Sequence, residues 1–219
     1  MAGRKLRRGG LPLDKDWDYM TPFLGYSNGY STSIVESSPI SCPVNQDAER
    51  LMWSAINGLV DEIKICEKAG ATTAAIAMAY VCIDTMAYLS LPDGREKHRN
   101  TDFIGWVNAY LIGHEDQPYQ YRGLDVYGAR CAMLHAFGSD SEFHDKYQDV
   151  RKFGYRDGGK HAYDPTVDER LVIIGTASFL NDVVRAVSVF LERCKEDADL
   201  RGRVEGRLPK VLATFPVSA

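Results

Sequence analysis

The sequence lacks the cysteine patterns that bind metals or build disulfide frameworks. Its five cysteines are scattered over 219 residues, and no two of them have CxxC spacing. CxxC pairs are typical of zinc ribbons, and even sets of cysteines at regular spacing are typical of disulfide-stapled domains. Four of the five lie on apolar helical stretches, where a free cysteine behaves as a small hydrophobic residue. A reducing, cytoplasmic location is therefore expected.

Motifs of several large enzyme classes are also missing. The sequence has no HExxH and no Glu-x-x-His pair, so no metal site is expected. No glycine-rich phosphate loop follows a strand pattern, and no cofactor is expected. Four histidines fall in predicted loops: His98, His114, His144 and His161.

Positive charge does not dominate the chain, because 26 lysines and arginines stand against 30 acidic residues. Unspecific binding to duplex DNA needs a dominant positive field, so that class of protein is excluded. A local basic site for single-stranded RNA remains compatible with a net charge of −4. The basic residues 1–10 are not followed by an apolar run, and no secretory signal is expected.

One apolar stretch, residues 71–91, has the length of a membrane span but carries Asp84. A central aspartate costs roughly 2.5–3.5 kcal/mol on insertion, and the many alanines offset almost none of this cost. The stretch is predicted to be a helix buried in protein, and no membrane association is expected. A lone carboxylate in such a helix should be paired or protonated, with Arg130 or Arg185 as partner.

The remaining pattern predicts an N-terminal arm, residues 1–45, and a helical bundle, residues 46–219. Predicted helices cover about 45–69, 71–91, 100–111, 123–137, 166–195 and 200–212. The first four have short links, which favour antiparallel neighbours. Within the insertion 138–165, alternation around Asp157-Gly158 predicts a β-hairpin. The expected fold is all-α: an antiparallel up-down bundle with a small β-hairpin insertion before the last long helix.

The segment from Tyr127 to Gly138 is the most informative part of the chain. Arg130 and His135 stand among small and apolar neighbours in a predicted helix that Gly138 is expected to end. Asp84 and Arg130 each lie seven residues before the end of their own helix. Both are therefore expected roughly 10 Å below one end of the bundle, where the basic loop 95–99 also emerges.

This segment resembles the Arg-(four to six residues)-His signature of HEPN domains, the higher eukaryote and prokaryote nucleotide-binding helical bundles. The resemblance implies a metal-independent endoribonuclease of the toxin or defence type. It also implies a homodimer that acts on single-stranded RNA, with an antitoxin as a further partner. In such an enzyme the RNA 2′-OH attacks the adjacent phosphorus. His135 would then be the general base or acid, and Arg130 would hold the phosphate.

The same resemblance assigns supporting and binding roles to other residues. Asp84, Tyr127 and Cys131 are expected to support the pair; the position of Cys131 is often Asn, Asp or His in the family. RNA contacts are expected from two basic stretches: Arg95, Lys97, His98, Arg99, Arg151 and Lys152.

Other interpretations of the same residues stay open. At about 100° per residue, five positions place Arg130 and His135 about 140° apart on an α-helix, as for two ordinary structural residues. Asp84 would then form a purely structural ion pair. Cys131 and His135, four apart, would suit a thiol nucleophile, although Cys131 lies within an apolar stripe. A non-catalytic HEPN-like module would bind RNA, nucleotide or a protein partner. The basic residues of the insertion would form a solvated hairpin.

Overall fold

The structure is a computed structural model that describes residues 45–113 and 116–211, with side chains from Ser54 onward. The predicted arm, except Asn45, lies outside the described residues, as does His114. The helices are α1 (Asn45–Lys68), α2 (Thr72–Leu89), α3 (Asn100–Tyr110), α4 (Gly123–Cys131), α5 (Glu142–Lys146), α6 (Thr176–Glu196) and α7 (Ala198–Arg207). A π turn (Ala132–Ala136) follows α4, a 3-10 turn (Leu208–Lys210) follows α7, and two strands are present: β1 (Lys152–Arg156) and β2 (Leu171–Gly175).

Helix α2 is the central element of the described fold. It packs against α1, α3, α6 and α7, and it is apolar around most of its circumference, as a helix surrounded by others should be. Its small residues Ala75 and Ala79 are fully buried and allow close approach, while Ile83 and Met86 fill the space further along. By length and composition alone α2 could cross a membrane, and 50% of that span is buried inside the protein.

The predicted boundary between the first two helices is confirmed. Helix α1 ends at Lys68, and Gly70 takes the left-handed conformation with φ 73° that a glycine stop requires. On α1, Ile56 and Ile63 of the predicted seam are buried, while Leu59 and Cys66 are half-buried. The side chain of Met52 lies outside the described residues.

The predicted β-hairpin is wrong. Strand β1 pairs with β2 in parallel, with Phe153 opposite Val172, and the returning segment makes only an isolated antiparallel bridge from Ala162 to Ile173. Gly158 does take a positive φ of 108°, so the chain turns where expected. The partner of β1 is nevertheless the apolar, β-branched run further along. This pairing buries Phe153, Val172 and Ile174 completely.

The last long helix therefore begins at Thr176, ten residues later than predicted. Residues 166–169 had the pattern of a capping box, but Asp164 accepts hydrogen bonds from the backbone N–H (2.9 Å) and the hydroxyl (2.6 Å) of Thr166. These bonds close a local turn in place of a helix start. The β-branched run of β2 follows and disfavours early helix formation. The fold is mainly helical, with a small parallel sheet at the base of α6.

His144 and Gly128 attach the insertion to α4. His144, predicted to lie in a loop, is on α5 and fully buried; its Nε2 donates to the Arg151 carbonyl at 3.2 Å. A Cβ atom at Gly128 would come within 2.8 Å of that nitrogen. The glycine is therefore needed for the close approach of α4 to α5.

Candidate functional site

The site lies where α4 ends, and this end is not the α-helical one that the sequence predicted. After Cys131 the chain continues as the π turn Ala132–Ala136. The left-handed position is occupied by Phe137, with φ 53°, and not by Gly138. The amide of Gly138 donates to the carbonyl of Ala132 at 3.2 Å, which closes the widened turn. A bulky residue in this conformation is rare and carries strain.

The π turn brings Arg130 and His135 together. His135 lies within the π turn, whose i→i+5 hydrogen bonds widen the helix, and Arg130 lies two residues before that turn, in α4. Nη1 of Arg130 lies 3.3 Å from Nε2 of His135. On a regular α-helix the same two residues would point about 140° apart. The local widening of the helix therefore converts a poor spacing into a direct contact.

Asp84 anchors the arginine from the neighbouring helix α2. Its Oδ2 accepts from Nε of Arg130 at 2.8 Å and lies 2.7 Å from Nη2. The Asp84 side chain is 21% exposed and the Arg130 side chain 18%, so the ion pair is largely removed from water. The alternative partner, Arg185, pairs with Asp182 at 2.8 Å. The predicted pairing of Asp84 with Arg130 is confirmed.

The electrostatics keep His135 neutral. Burial lowers its pKa, and the positive charge of Arg130 lowers it further, while Asp84 opposes both effects in part. Because an arginine only donates hydrogen bonds, Nε2 of His135 accepts from Nη1, and the imidazole proton resides on Nδ1. For Arg130, burial alone would lower the pKa, but the charge and hydrogen bonds of Asp84 outweigh it and the net shift is upward.

Tyr127 and Cys131, on the same helix as Arg130, are buried. Burial raises the pKa of the Cys131 thiol above its ordinary value, although the positive charge of Arg130 opposes this shift. A buried thiol with a raised pKa is a poor nucleophile. The geometry gives no support to the thiol alternative.

The residues of the basic loop 95–99 differ in their surroundings. Lys97 and Arg99 are exposed, whereas the Arg95 guanidinium bonds Asp102 at the start of α3. His98 is half-buried, and its Nε2 has no hydrogen-bond partner among the described residues. Burial lowers the His98 pKa, and the charges of both Asp84 and Arg130 act on this imidazole. His98 therefore belongs to the electrostatic surroundings of the pair.

The second predicted basic stretch is not brought to this cluster by any contact within the described part of the chain. The Arg151 guanidinium stacks over the ring of Tyr163, 4.4 Å from its centroid. Lys152 pairs with Asp140. The charges of both residues are engaged in holding the insertion together.

Sequence reasoning missed two features of the site. Phe137 is 74% exposed, two residues after His135, and holds the strained end of the π turn. Its aromatic character beside the histidine was visible in the sequence, but the positive φ was assigned to the following glycine. The π turn itself has no signal in the sequence.

No protein-family model matches this chain, and neither does any curated protein or solved structure in the comparisons. The fold and site themselves define the class to which it belongs. It is a mainly helical protein in which a neutral, exposed histidine contacts an arginine that is anchored to a carboxylate. Within residues 45–113 and 116–211, no group of three or more His, Cys, Asp or Glu side chains is arranged to hold a metal.

Proposed function

We propose that the protein is a metal-independent endoribonuclease on a HEPN-like antiparallel bundle, cleaving single-stranded RNA. The observation that carries the proposal is the 3.3 Å contact between Arg130 and an exposed, neutral His135. A cation that binds phosphate and a base that accepts a proton stand side by side. Asp84 is a positioning residue, since it contacts Arg130 and not the substrate.

The reaction uses the RNA itself as nucleophile. Nε2 of His135 takes the proton of a 2′-OH, the O2′–P bond forms, and the P–O5′ bond breaks. Arg130 turns from His135 toward the phosphate and offsets the charge that develops on its oxygens. The leaving 5′ oxygen takes up a proton, and the products are a 2′,3′-cyclic phosphate and a 5′-hydroxyl. This proton comes from water, and the protonated His135 then returns to the solvent the proton that it took from the 2′-OH.

Exposed apolar side chains near the pair support the homodimer. Phe137 is 74% exposed, and Val81, three residues before Asp84 on α2, is 37% exposed. Burying both against a second copy would remove apolar surface from water beside the active groups. Sedimentation showing a monomer at micromolar concentration would contradict this part of the proposal. A cytoplasmic toxin or defence role, with an antitoxin as partner, belongs to the same proposal.

The decisive experiment incubates the full chain with single-stranded RNA in the presence of a chelator. We expect cutting, with cyclic-phosphate ends, and no cutting of DNA, which lacks the 2′-OH. His135→Ala should lower the rate by roughly 10²–10⁴, and Arg130→Ala by roughly 10²–10³. Arg201→Ala on α7 removes the same charge outside the site and should leave the rate unchanged. A wild type that cuts none of a varied set of RNAs refutes the nuclease.

Lys97 and Arg99 test the proposed RNA path. Both are exposed and belong to the same loop as His98, whose imidazole is within the influence of Asp84 and Arg130. Each alanine substitution should weaken RNA binding. It should also reduce the slope of log affinity against log salt concentration by about one, since one phosphate contact is lost. The cutting rate at saturating RNA should change little, because neither side chain has a recorded contact with the reacting pair within residues 45–113 and 116–211.

A non-catalytic module that binds RNA, nucleotide or a protein partner is the second candidate. The observation that favours it is the engagement of Arg130: Nε and Nη2 contact Asp84 and Nη1 contacts His135. An arginine whose N–H groups already bond Asp84 and His135 stabilises the negative charge of a transition state less. RNA binding that Arg130→Ala abolishes, without any cutting by the wild type, would select this candidate.

A further inference from the structure

One backbone amide at the end of α4 is shared between two competing hydrogen bonds. The N–H of Phe137 bonds the carbonyl of Ala132, five residues back as in a π-helix, and that of Met133, four residues back as in an α-helix. We call the observed arrangement, with the π turn Ala132–Ala136, the π register. In the alternative α register, α4 continues as an α-helix through Phe137 and ends at Gly138.

The backbone of Phe137 is strained in the π register. Its φ of 53° makes it the one residue other than glycine with a positive φ within residues 45–113 and 116–211. In a left-handed conformation the Cβ atom of an L-residue comes too close to the following carbonyl oxygen. The ring of Phe137 is 74% exposed, so packing of the side chain does little to offset this strain. The π register is therefore held mainly by backbone bonds and by the contacts of its neighbours.

Gly138 gains nothing from being a glycine in the π register. Its φ is not positive, and a Cβ atom at this position would come no closer than 3.8 Å to the carbonyl oxygen of Ala136. In the α register the same residue follows the end of the helix, where the backbone turns left-handed and a glycine does so without steric cost. Directly after the strained residue, the chain thus has the residue type that the α register requires.

A change of register would move His135 and leave Arg130 in place. Arg130 belongs to α4 and is anchored to Asp84 on α2 by a bond of 2.8 Å. Residues 131–133 are buried, whereas residues 135–140 are all exposed. The residues that change position are therefore exposed ones. In the α register His135 would point about 140° away from Arg130, and the contact between them would be lost.

We propose that the end of α4 exchanges between the π and the α register, and that the candidate site is assembled only in the π register. Phe137 is left-handed in one register and Gly138 in the other, so the helical bundle stays folded during the exchange. The control of RNA cutting by this exchange rests on the proposed ribonuclease activity, but the exchange itself does not. A phosphate that binds both Arg130 and His135 favours the π register, so the substrate itself would assemble the site.

NMR relaxation dispersion on the full chain tests the exchange directly. We expect exchange on the microsecond to millisecond timescale at the backbone amides of residues 135–139. The carbon chemical shifts of the minor form should show a right-handed helical backbone at Phe137. The amides of the buried helix α2 are the internal reference and should show no such exchange. Absence of exchange at residues 135–139 in the wild type overturns the proposal.

Gly138→Ala separates this exchange from general motion of an exposed segment. A left-handed alanine is disfavoured, so the α-register population should fall by roughly five- to thirtyfold. Phe137→Val should raise that population, because a β-branched residue is strained further at a positive φ. Ser139→Ala is the matched control, since this neighbour is left-handed in neither register, and it should leave the exchange unchanged.

An exchange that Gly138→Ala leaves as in the wild type refutes the proposal. This result does not depend on Phe137→Val being folded, and a Cβ atom at Gly138 meets only ordinary contacts in the π register.

Cutting of single-stranded RNA tests the control of activity separately. Phe137→Val and the double variant Phe137→Val, Gly138→Ala lack the same ring, so they differ only in their preference for a register. The double variant should cut faster, because its π-register population is larger. Equal rates refute the control of cutting. A wild type that cuts nothing refutes the nuclease and leaves the NMR result unaffected, whereas cutting without exchange refutes the change of register alone.

Discussion

Arg130 and His135 are five positions apart in the sequence, and Nη1 of one lies 3.3 Å from Nε2 of the other where α4 continues into the π turn Ala132–Ala136. A regular helix would have separated them by about 140°. The contact is also asymmetric, because the arginine is held by Asp84 while the histidine is exposed. In the proposed reaction, an RNA phosphate that enters from solvent would therefore meet the histidine first and compete with it for the guanidinium.

Removal of Asp84 should destabilise the fold strongly. Asp84→Ala leaves the guanidinium of Arg130 largely buried without its counter-charge, and we expect a loss of about 3 kcal/mol in the free energy of unfolding. Urea denaturation measures this loss. The double variant Asp84→Ala, Arg130→Ala should lose less than the sum of the single variants, because the two residues interact. An Asp84→Ala protein that unfolds like wild type would show that the ion pair contributes nothing.

The pKa of His135 should lie below its ordinary value near 6.5. Burial and the charge of Arg130 both favour the neutral ring, so protonation opposes folding. The corresponding stability is complete above about pH 6.5 and is lost as the pH falls through the folded-state pKa. NMR titration of the imidazole measures the pKa directly.

Arg130→Gln tests the cause of this shift, since removing the nearby positive charge should raise the His135 pKa toward 6.5. Arg201→Gln should leave it unchanged. An elevated His135 pKa in the wild type would contradict the assignment of a neutral base.

Cys131→Ser should leave RNA cutting nearly unchanged. The thiol is 4% exposed and burial raises its pKa, so it fills space and does not react. A serine hydroxyl at this position should cost about 1 kcal/mol of stability, because a more polar group replaces the buried thiol. Loss of cutting in Cys131→Ser together with full cutting in His135→Ala would favour thiol chemistry instead.

Substitutions of Phe137 test both its left-handed backbone conformation and the role of its exposed ring in the proposed homodimer. A glycine tolerates φ 53° without strain, so Phe137→Gly should be more stable than Phe137→Ala by about 0.5–1 kcal/mol. Both variants remove the exposed ring that the proposed homodimer buries, so both should weaken dimerisation, which sedimentation at micromolar concentration measures. Equal stability of the two variants would contradict the left-handed conformation.

Gly128→Ala tests the packing of the insertion against α4. The added methyl would meet Nε2 of His144 and Cγ1 of Val150 at 2.8 Å, and we expect a loss of about 1–3 kcal/mol. Gly58→Ala on α1 is the matched control, since nothing lies within 4 Å of its Cβ position. That change should stabilise the helix by about 0.5–1 kcal/mol. Equal effects of the two substitutions would mean that His144 does not pack on α4.

Periodicity and glycine stops located α1, α2 and α3 to within a few residues, because such signals act over one or two helical turns. The pairing of Asp84 with Arg130 could also be predicted from the sequence. A carboxylate in an apolar helix needs a partner, and few cations lay at the same level. The partner of β1 was not predictable in this way. The strand that pairs with β1 is the distant apolar segment that buries Phe153 best. The turn at Gly158 favours a different partner for β1, namely the segment that directly follows it.

Local sequence patterns are enough to predict the mainly helical composition, the burial of α2 and the residue types at the candidate site, since hydrophobic period and charge isolation are local properties. The tertiary structure alone decided that β1 and β2 run in parallel, that α6 begins at Thr176 and that α4 ends in a π turn. The first two features depend on contacts between residues far apart in the chain. The third depends on which of several competing backbone hydrogen bonds form at the end of α4. The contact between Arg130 and His135 is of this second kind: both residues are in the sequence, but only the widened turn joins them.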